Sequence, residues 1–269
     1  AYHYAKEKKV PFILFCHDDV EDFARPHNFF KKKLIKLNTK IYKSASKRIC
    51  ISPEMATAWE IKYQTKGDYL YPTASENIKS RKLEEAEHLV QPGSLTLGYA
   101  GSLAYGYREG INEIIPVLEK TGTKLKIYRN YSGEIISSQS IEFEGYAKTP
   151  EETWDRIISE CDAVILPYSK EKRFEKLYCT HFPSKLPEYL KLKMPIILNG
   201  PNYATGVKFG ISKQGLIVSQ NNQQLEQELI TLVNDKKRRL TSSNAYAHIT
   251  EFEQEIIFSK FLGLIQSAK

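Results

Sequence analysis

Short apolar runs alternate with stretches of helical periodicity along most of this 269-residue chain. This alternation restricts the fold more than any other feature, because strands that alternate with helices form a parallel sheet with helices on both faces. Eight apolar runs predict strands, at 10–15, 48–52, 96–100, 124–128, 141–144, 163–167, 195–198 and 216–218. The predicted fold class is α/β with parallel sheets.

Three stretches have the spacing of helices with one apolar face. One lies in a basic segment, where four residues form a stripe: Phe30, Leu34, Leu37 and Ile41. Another begins at Thr149, a predicted cap followed by Pro150, with Glu152 three residues after the cap. The last is predicted to dock on a domain through Phe252, Ile256, Phe258, Phe261, Leu262 and Ile265.

The polar stretch 73–94 contains no strand pattern and ends in Pro-Gly, which is typical of a connection between domains. We therefore predict a first domain at 1–72, a connection at 73–94 and a second domain at 95–248. A C-terminal helix at 249–269 follows, for which the first domain is one candidate packing partner. Because the chain starts with Ala1 and not with Met, we expect it to begin partway into a longer protein.

The composition excludes several classes of protein. Hydrophobic residues make up 41 %, enough for a core, and no apolar run approaches the ~18 residues of a membrane-spanning helix. The net charge is +7, yet eight cations lie in one segment without an acid: Lys31, Lys32, Lys33, Lys36, Lys40, Lys43, Lys47 and Arg48. The basicity is therefore one local patch. Four widely spaced cysteines, without a disulfide or metal-binding pattern, favour a reducing cytoplasm.

The basic segment from Lys31 to Arg48 has two open interpretations. It is either a solvated helix face or a contact with an anionic membrane surface, to which each nearby cation adds ~1 kcal/mol. Nucleic acid is the weakest partner, because no aromatic residues suited to base stacking are interleaved with these lysines.

A loop that contains glycines joins a predicted strand to a predicted helix at 97–110. Gly101 and Gly106 would let the backbone approach a phosphate, and Arg108 would add a guanidinium beside the helix N-terminus. The spacing matches neither the dinucleotide fingerprint nor the Walker loop, so dehydrogenase and ATPase functions are disfavoured. A turn that simply requires glycine is the alternative.

The segment 181–201 predicts a loop, a helix that starts near Ser184 and a buried strand. Ser184 and Lys185 would offer a hydroxyl and an ammonium to a phosphate, and Glu188 would accept hydrogen bonds from two sugar hydroxyls. These contacts suit a nucleoside diphosphate. Alternatively, Ser184 only caps the helix and Glu188 is a solvated acid.

Four motifs fall in order along the second part of the chain: Gly98-Tyr-Ala-Gly-Ser102, Phe143-Glu-Gly-Tyr146, Asp162-Ala-Val-Ile-Leu-Pro167 and Phe182-Pro-Ser-Lys-Leu-Pro-Glu-Tyr-Leu190. With two upstream motifs, at 10–18 and 49–55, the sequence resembles family 4-type glycosyltransferases over nearly its whole length. The resemblance implies the two-domain GT-B architecture. An incomplete acceptor-side domain comes first, a donor-binding domain second, and the donor binds in the cleft between them.

The resemblance also assigns roles to single residues. It implies that Glu188 binds the ribose of the donor and that Ser184 and Lys185 lie near its diphosphate. The predicted donor-binding set further includes Gly101, Ser102, Arg108 and Leu186. Two positions depart from the family pattern. Thr180 stands where the first of two carboxylates is usual, and Ser102 stands where a basic residue is common, with Arg108 as the substitute.

His17 follows the first predicted strand and corresponds to a histidine that faces the transferred sugar in many such enzymes, so it is the candidate catalytic residue. A strand-end histidine that bonds only to backbone is the alternative. Four acids follow it, a cluster that could instead hold a divalent ion: Asp18, Asp19, Glu21 and Asp22.

The predicted function is transfer of a sugar from a nucleotide-diphosphate donor to a hydroxyl of a glycan or lipid-linked acceptor, in surface polysaccharide or glycolipid synthesis. By resemblance, the transfer retains anomeric configuration and needs neither a metal nor another cofactor. Two alternatives stay open. One is a nucleotide-sugar-binding protein without transferase activity, and the other is a metal-dependent hydrolase built on the cluster at 17–22.

Overall fold

The computed structural model describes residues 2–18, 28–82, 95–131 and 135–266. The chain forms two compact units. The first contains Ala1–Thr73, Lys176–Phe182 and Glu251–Lys269, and the second contains Ala74–Glu175 and Pro183–Thr250.

The described residues form helices and strands in an order that follows the predicted alternation. In chain order they are α1 (Tyr2–Lys8), β1 (Ile13–Cys16), α2 (Asn28–Ser44), β2 (Lys47–Cys50), α3 (Pro53–Tyr63), β3 (Asp68–Tyr69), β4 (Thr96–Ala100), α4 (Tyr107–Thr121), β5 (Lys124–Tyr128), β6 (Ile141–Phe143), α5 (Pro150–Glu160), β7 (Ala163–Pro167), α6 (Glu175–Tyr178), α7 (Lys185–Leu192), β8 (Ile196–Asn199), α8 (Thr205–Ser212), β9 (Ile217–Ser219), α9 (Asn222–Leu232), α10 (Asp235–Tyr246) and α11 (Gln254–Gln266). Two 3₁₀ helices, Lys172–Phe174 and Ala247–Phe252, complete the set.

The first unit is built on a parallel sheet of three strands in the order β1-β2-β3. Because side chains alternate along a strand, the two faces of this sheet carry different clusters. On one face Cys50 packs with Met55 and Trp59. On the other, Ile49 packs with Leu70 and Ile257, so the C-terminal helix α11 covers that face.

The second unit is built on a parallel sheet of six strands in the order β6-β5-β4-β7-β8-β9. Its central strands carry fully buried aliphatic side chains on both faces, as expected where helices cover both sides: Leu97, Val164, Ile165, Ile196 and Ile197. The α/β class with parallel sheets is therefore confirmed. All eight predicted strands are present, and those at 96–100, 124–128 and 163–167 have the predicted bounds.

The basic segment forms helix α2, but the predicted apolar stripe is not its buried face. Leu34 and Ile41 are half-buried, whereas Phe30 and Leu37 are 63 % and 42 % exposed. The side chain that anchors the helix is Tyr42, which packs against Trp59 on α3. Among the described contacts of α2, the packing on α3 runs through Tyr42 near the C-terminal end of the helix, which is not a member of the predicted stripe.

The predicted cap at Thr149 is confirmed. The Glu152 N–H donates to the Thr149 hydroxyl over 3.2 Å, and Pro150 occupies the first helical position. The Glu152 carboxylate accepts from the N–H of Lys148, one residue before the cap, over 2.9 Å. Both hydrogen bonds of a capping box are therefore present. The bond from the backbone to the Glu152 carboxylate comes from Lys148, one residue before the cap, and not from the cap residue itself.

The two units differ from the predicted domains in one segment. Lys176–Phe182 lies within the predicted second domain, 95–248, but belongs to the first unit of the structure. The reason is aromatic packing, because the Phe182 ring lies 4.7 Å from that of Tyr71 and 5.9 Å from that of Phe252. The start of the predicted connection packs on the second unit, where the Arg81 N–H donates to Leu192 O. Residues 83–94 lie outside the described part of the chain.

None of the described helices has both the length and the apolar character that a membrane crossing requires. All four cysteines are free thiols.

Candidate functional site

The carboxyl ends of β4 and β7 mark the point where the order of strands in the second sheet reverses. The chain after β4 leads to β5 and β6 on one side, and the chain after β7 leads to β8 and β9 on the other. Open α/β sheets bind ligands just outside the carboxyl ends of strands at such a point. The predicted glycine loop follows β4, so it lies at the expected place.

Gly101 brings the loop backbone against the side chain of Lys185. Its φ angle is +115°, and a Cβ added there would lie 2.2 Å from Lys185 Cε and 3.2 Å from Nζ. Both features require glycine, because an L side chain rarely adopts this φ and would also displace the lysine. Two segments 84 residues apart in the sequence, which were predicted separately, thus meet at one place.

Lys185 begins helix α7, and its ammonium lies between two tyrosine rings. Nζ is 4.2 Å from the centre of the Tyr107 ring and 5.3 Å from that of Tyr99. Burial lowers the pKa of Lys185 to about 8, and the nearby Glu188 carboxylate opposes this shift. A partly desolvated ammonium at a helix N-terminus gains most from an anion.

Tyr189 fixes α7 against the end of β4. Its hydroxyl accepts a hydrogen bond from the Ala100 N–H over 3.1 Å, and the side chain is fully buried against Trp154. This contact holds Lys185 beside Gly101. Sequence reasoning missed Tyr189, because its partner is 89 residues away and no local spacing signals the pair.

Ser184 and Glu188 both belong to the start of α7. Ser184 is exposed and its side chain makes no capping hydrogen bond, which argues against a role only as a cap. Glu188 is half-buried, and burial raises its pKa while Lys185 opposes the shift. Glu188 is therefore not the solvated acid of the alternative interpretation.

Leu186 and Ser102 have structural contacts of their own. The Leu186 side chain is fully buried and its N–H donates to Pro183 O over 3.1 Å, so it supports the helix start from within the core. The Ser102 hydroxyl accepts from the Ala104 N–H over 3.0 Å within the glycine loop, where Ser102 is exposed.

Arg108 lies at the start of α4, beside Glu109. Its Nη2 is 2.6 Å from Glu109 Oε1, and Arg173 Nη2 reaches the same oxygen over 2.8 Å. Burial opposes ionisation of Glu109, but the bond from Arg108 and the charge of both guanidinium groups hold its pKa below the usual value. Arg173 Nε also lies 2.7 Å from Glu171 Oε2, so the cluster joins two arginines to two carboxylates. Sequence reasoning missed Arg173, which comes from the 3₁₀ helix after β7.

His17 lies in the first unit, directly after β1. It is exposed, and its ring stacks on Phe15 with 6.5 Å between the ring centres. Asp18 pairs with His181 Nδ1 over 3.3 Å, and this hydrogen bond lowers the pKa of Asp18. Thr180, at the position of the usual first carboxylate, is buried.

The described residues contain no group of three or more metal-ligating side chains placed to hold an ion. The rest of the predicted acidic cluster, Asp19, Glu21 and Asp22, lies outside the described residues.

No protein-family model and no curated protein matches this sequence. Solved structures do match. The chain is similar to HepE from Anabaena in complex with UDP and glucose, with 15 % sequence identity and a TM-score of 0.71 over 98 % of this chain and 73 % of that one. It is also similar to sucrose-phosphate synthase from Thermosynechococcus elongatus, with 12 % identity and a TM-score of 0.70 over 98 % of this chain and 70 % of that one.

A further similar structure is the lipopolysaccharide outer core galactosyltransferase WaaB, with 16 % identity and a TM-score of 0.64 over 100 % of this chain and 78 % of that one. At sequence identities of 12–16 %, the similarity to these structures establishes the fold alone. The chain has the GT-B fold, as the resemblance of its motifs implied.

Proposed function

We propose that this protein transfers a sugar from a nucleotide-diphosphate donor to the hydroxyl of an acceptor. One observation carries the proposal: the partly desolvated Lys185, whose ammonium lies over two tyrosine rings, packs against Gly101 where the second sheet reverses its strand order. A glycine loop, a helix N-terminus and a half-buried cation together suit a diphosphate. The similarity to HepE, whose structure contains UDP and glucose, supports a uridine diphosphate donor.

In this proposal, the cations of the second unit stabilise the charge that develops on the leaving diphosphate. Lys185, with the hydroxyl of Ser184, binds the phosphates, while Glu109 holds the guanidinium groups of Arg108 and Arg173 in place as further hydrogen-bond donors. Glu188 hydrogen-bonds the ribose hydroxyls. We further propose that His17 contacts the sugar, that configuration is retained and that no metal is required.

The acceptor is proposed to be a glycan or lipid-linked molecule of surface polysaccharide or glycolipid synthesis, handled in the cytoplasm. Helix α2 supports a peripheral contact with an anionic membrane, because the exposed Phe30, Ile35 and Leu37 lie among its lysines. The alternative of donor binding without transfer is favoured by one observation. The buried Thr180 occupies the position of a carboxylate that is usual in the family.

The proposal is tested by calorimetric titration of the chain with UDP, GDP and ADP in the presence of EDTA. We expect saturable binding of one diphosphate, and Lys185→Ala and Glu188→Ala each to weaken it by about tenfold or more, the effect of losing a charged hydrogen bond. Lys208→Ala, on the exposed side of α8, is the matched control and leaves the affinity unchanged. Absence of binding by all three nucleotides would contradict the proposal.

A further inference from the structure

A cavity of about 350 Å³ opens within the first unit, between β1, α2 and α3. Its inner walls are apolar and aromatic, and they are formed by Leu14, Ile41, Tyr42, Trp59 and Tyr63. Small-molecule sites in proteins have this size and this predominantly apolar lining. The cavity is therefore large enough to hold one alkyl or aryl group.

Trp59 gives the cavity an aromatic wall. The side chain is 8 % exposed and its ring packs at 5.4 Å from those of Tyr42 and Tyr63. Its indole N–H finds no acceptor within the described part of the chain. This N–H is itself buried, so the wall that Trp59 contributes to the cavity is apolar and favours an apolar group of the ligand.

The mouth of the cavity is polar. It is lined by Asn38 of α2 and by His17 and Asp18, both exposed at the carboxyl end of β1. Among the described residues that line the cavity, none is a lysine or an arginine. The chemistry thus favours an uncharged ligand with an apolar body and a hydroxylated end, over one that carries a phosphate inside the cavity.

We propose that this cavity binds the apolar aglycone, alkyl or aryl, of a neutral acceptor whose hydroxyl lies at the His17 mouth. This assignment rests on the proposed transferase function and names the chemical class of its acceptor. The cavity lies wholly in the first unit, and the predicted phosphate contacts lie in the second, so the two can be tested separately.

The test uses tryptophan fluorescence of the whole chain. The sequence contains two tryptophans, so a Trp154→Phe variant reports Trp59 alone. Octyl and phenyl β-glucosides, used as monomers, should change this fluorescence saturably, and methyl β-glucoside should not. Equal responses to the octyl and methyl glucosides would overturn the proposal.

Variants of the cavity wall locate the binding site. Ile41→Phe should fill the cavity and weaken octyl glucoside binding by about tenfold, whereas Ile35→Phe, at an exposed position of the same helix, should not change it. Leu14→Phe is the second filling variant if Ile41→Phe does not fold. Unchanged affinity in both filling variants would contradict the assignment.

Parallel titration with UDP separates this proposal from the first. If the glucosides bind and UDP does not, the cavity assignment is retained as a binding site but the transferase function fails. If UDP binds and the glucosides do not, the donor site stands and the aglycone assignment fails.

Discussion

Lys185 is the residue whose ionisation bears most directly on the candidate site. Its pKa of about 8 means that the ammonium is charged below pH 8 and neutral above it. Affinity for UDP should therefore fall as the pH rises from 7 to 9, by up to about tenfold, because a charged hydrogen bond to phosphate is lost. Calorimetry across this range measures the effect. Lys185→Ala should bind UDP more weakly, with an affinity that does not change between pH 7 and 9. If the affinity of this variant fell with pH as steeply as that of the unchanged protein, another group would be responsible for the pH dependence.

His17 is the residue whose predicted role is independent of nucleotide affinity. It is exposed and stacked on Phe15 in the first unit, so its removal leaves no buried cavity. We expect His17→Ala to lower kcat by about 100-fold or more while the Kd for UDP stays within about twofold. Steady-state kinetics with a glucoside acceptor and calorimetry with UDP measure the two quantities. Turnover that survives the substitution would remove His17 from the reaction.

At the scale of elements, the approach of helix α4 to strand β7 depends on Gly110. A Cβ added there would lie 2.1 Å from the Pro167 carbonyl oxygen, and this backbone atom cannot move aside as a side chain can. Gly110→Ala should therefore lower the free energy of unfolding by about 3 kcal/mol.

Chemical denaturation measures this loss, with Gly263→Ala as the control. Gly263 lies in α11 and a Cβ added there meets no atom of the described residues within 4 Å, so alanine should stabilise the helix by about 0.5–1 kcal/mol. A similar small gain at Gly110 would show that α4 can shift away from β7.

Elements with a strong local pattern could be predicted from the sequence, and those fixed by distant contacts could not. The apolar run Ala163–Pro167 is a central strand with all five residues buried, so its pattern was complete. Strand β3 has only two residues, too few to show a period. Tyr42 anchors α2 through α3, which the spacing within one helix does not reveal.

The same distinction between local patterns and distant contacts applies to the candidate site. Gly101 and Lys185 could each be found from local signals, a strand followed by glycine and a helix start with a cation. Their contact, the Tyr189–Ala100 hydrogen bond that supports it and the Arg173–Glu109 ion pair each join residues 64 or more positions apart. Such pairs carry no periodicity, and only the fold brings them together.

At the scale of the molecule, the first unit depends on the last helix of the chain. Ile257 on α11 is 9 % exposed and packs on Ile49 and Leu70 of the sheet. Ile257→Asp should destabilise this unit by about 3 kcal/mol or more, because an unpaired charge replaces a core contact.

Denaturation followed by Trp59 fluorescence in the Trp154→Phe background measures the stability of the first unit. Phe258→Asp, at a position that is 56 % exposed, is the control and should change it little. UDP affinity, which we assign to the second unit, should stay within about twofold in both variants. A loss of UDP binding in Ile257→Asp alone would contradict this assignment.

The division of the first unit into three stretches also has a consequence for synthesis on the ribosome. All residues of the second unit have been added once Thr250 is incorporated, whereas the first unit still lacks α11 at that moment. The strands of the first unit are synthesised before the second unit, but the face of their sheet that packs on Ile257 lacks this partner until α11 has been added. The unit whose strands are translated first is thus the unit that receives its last helix only at the end of this sequence.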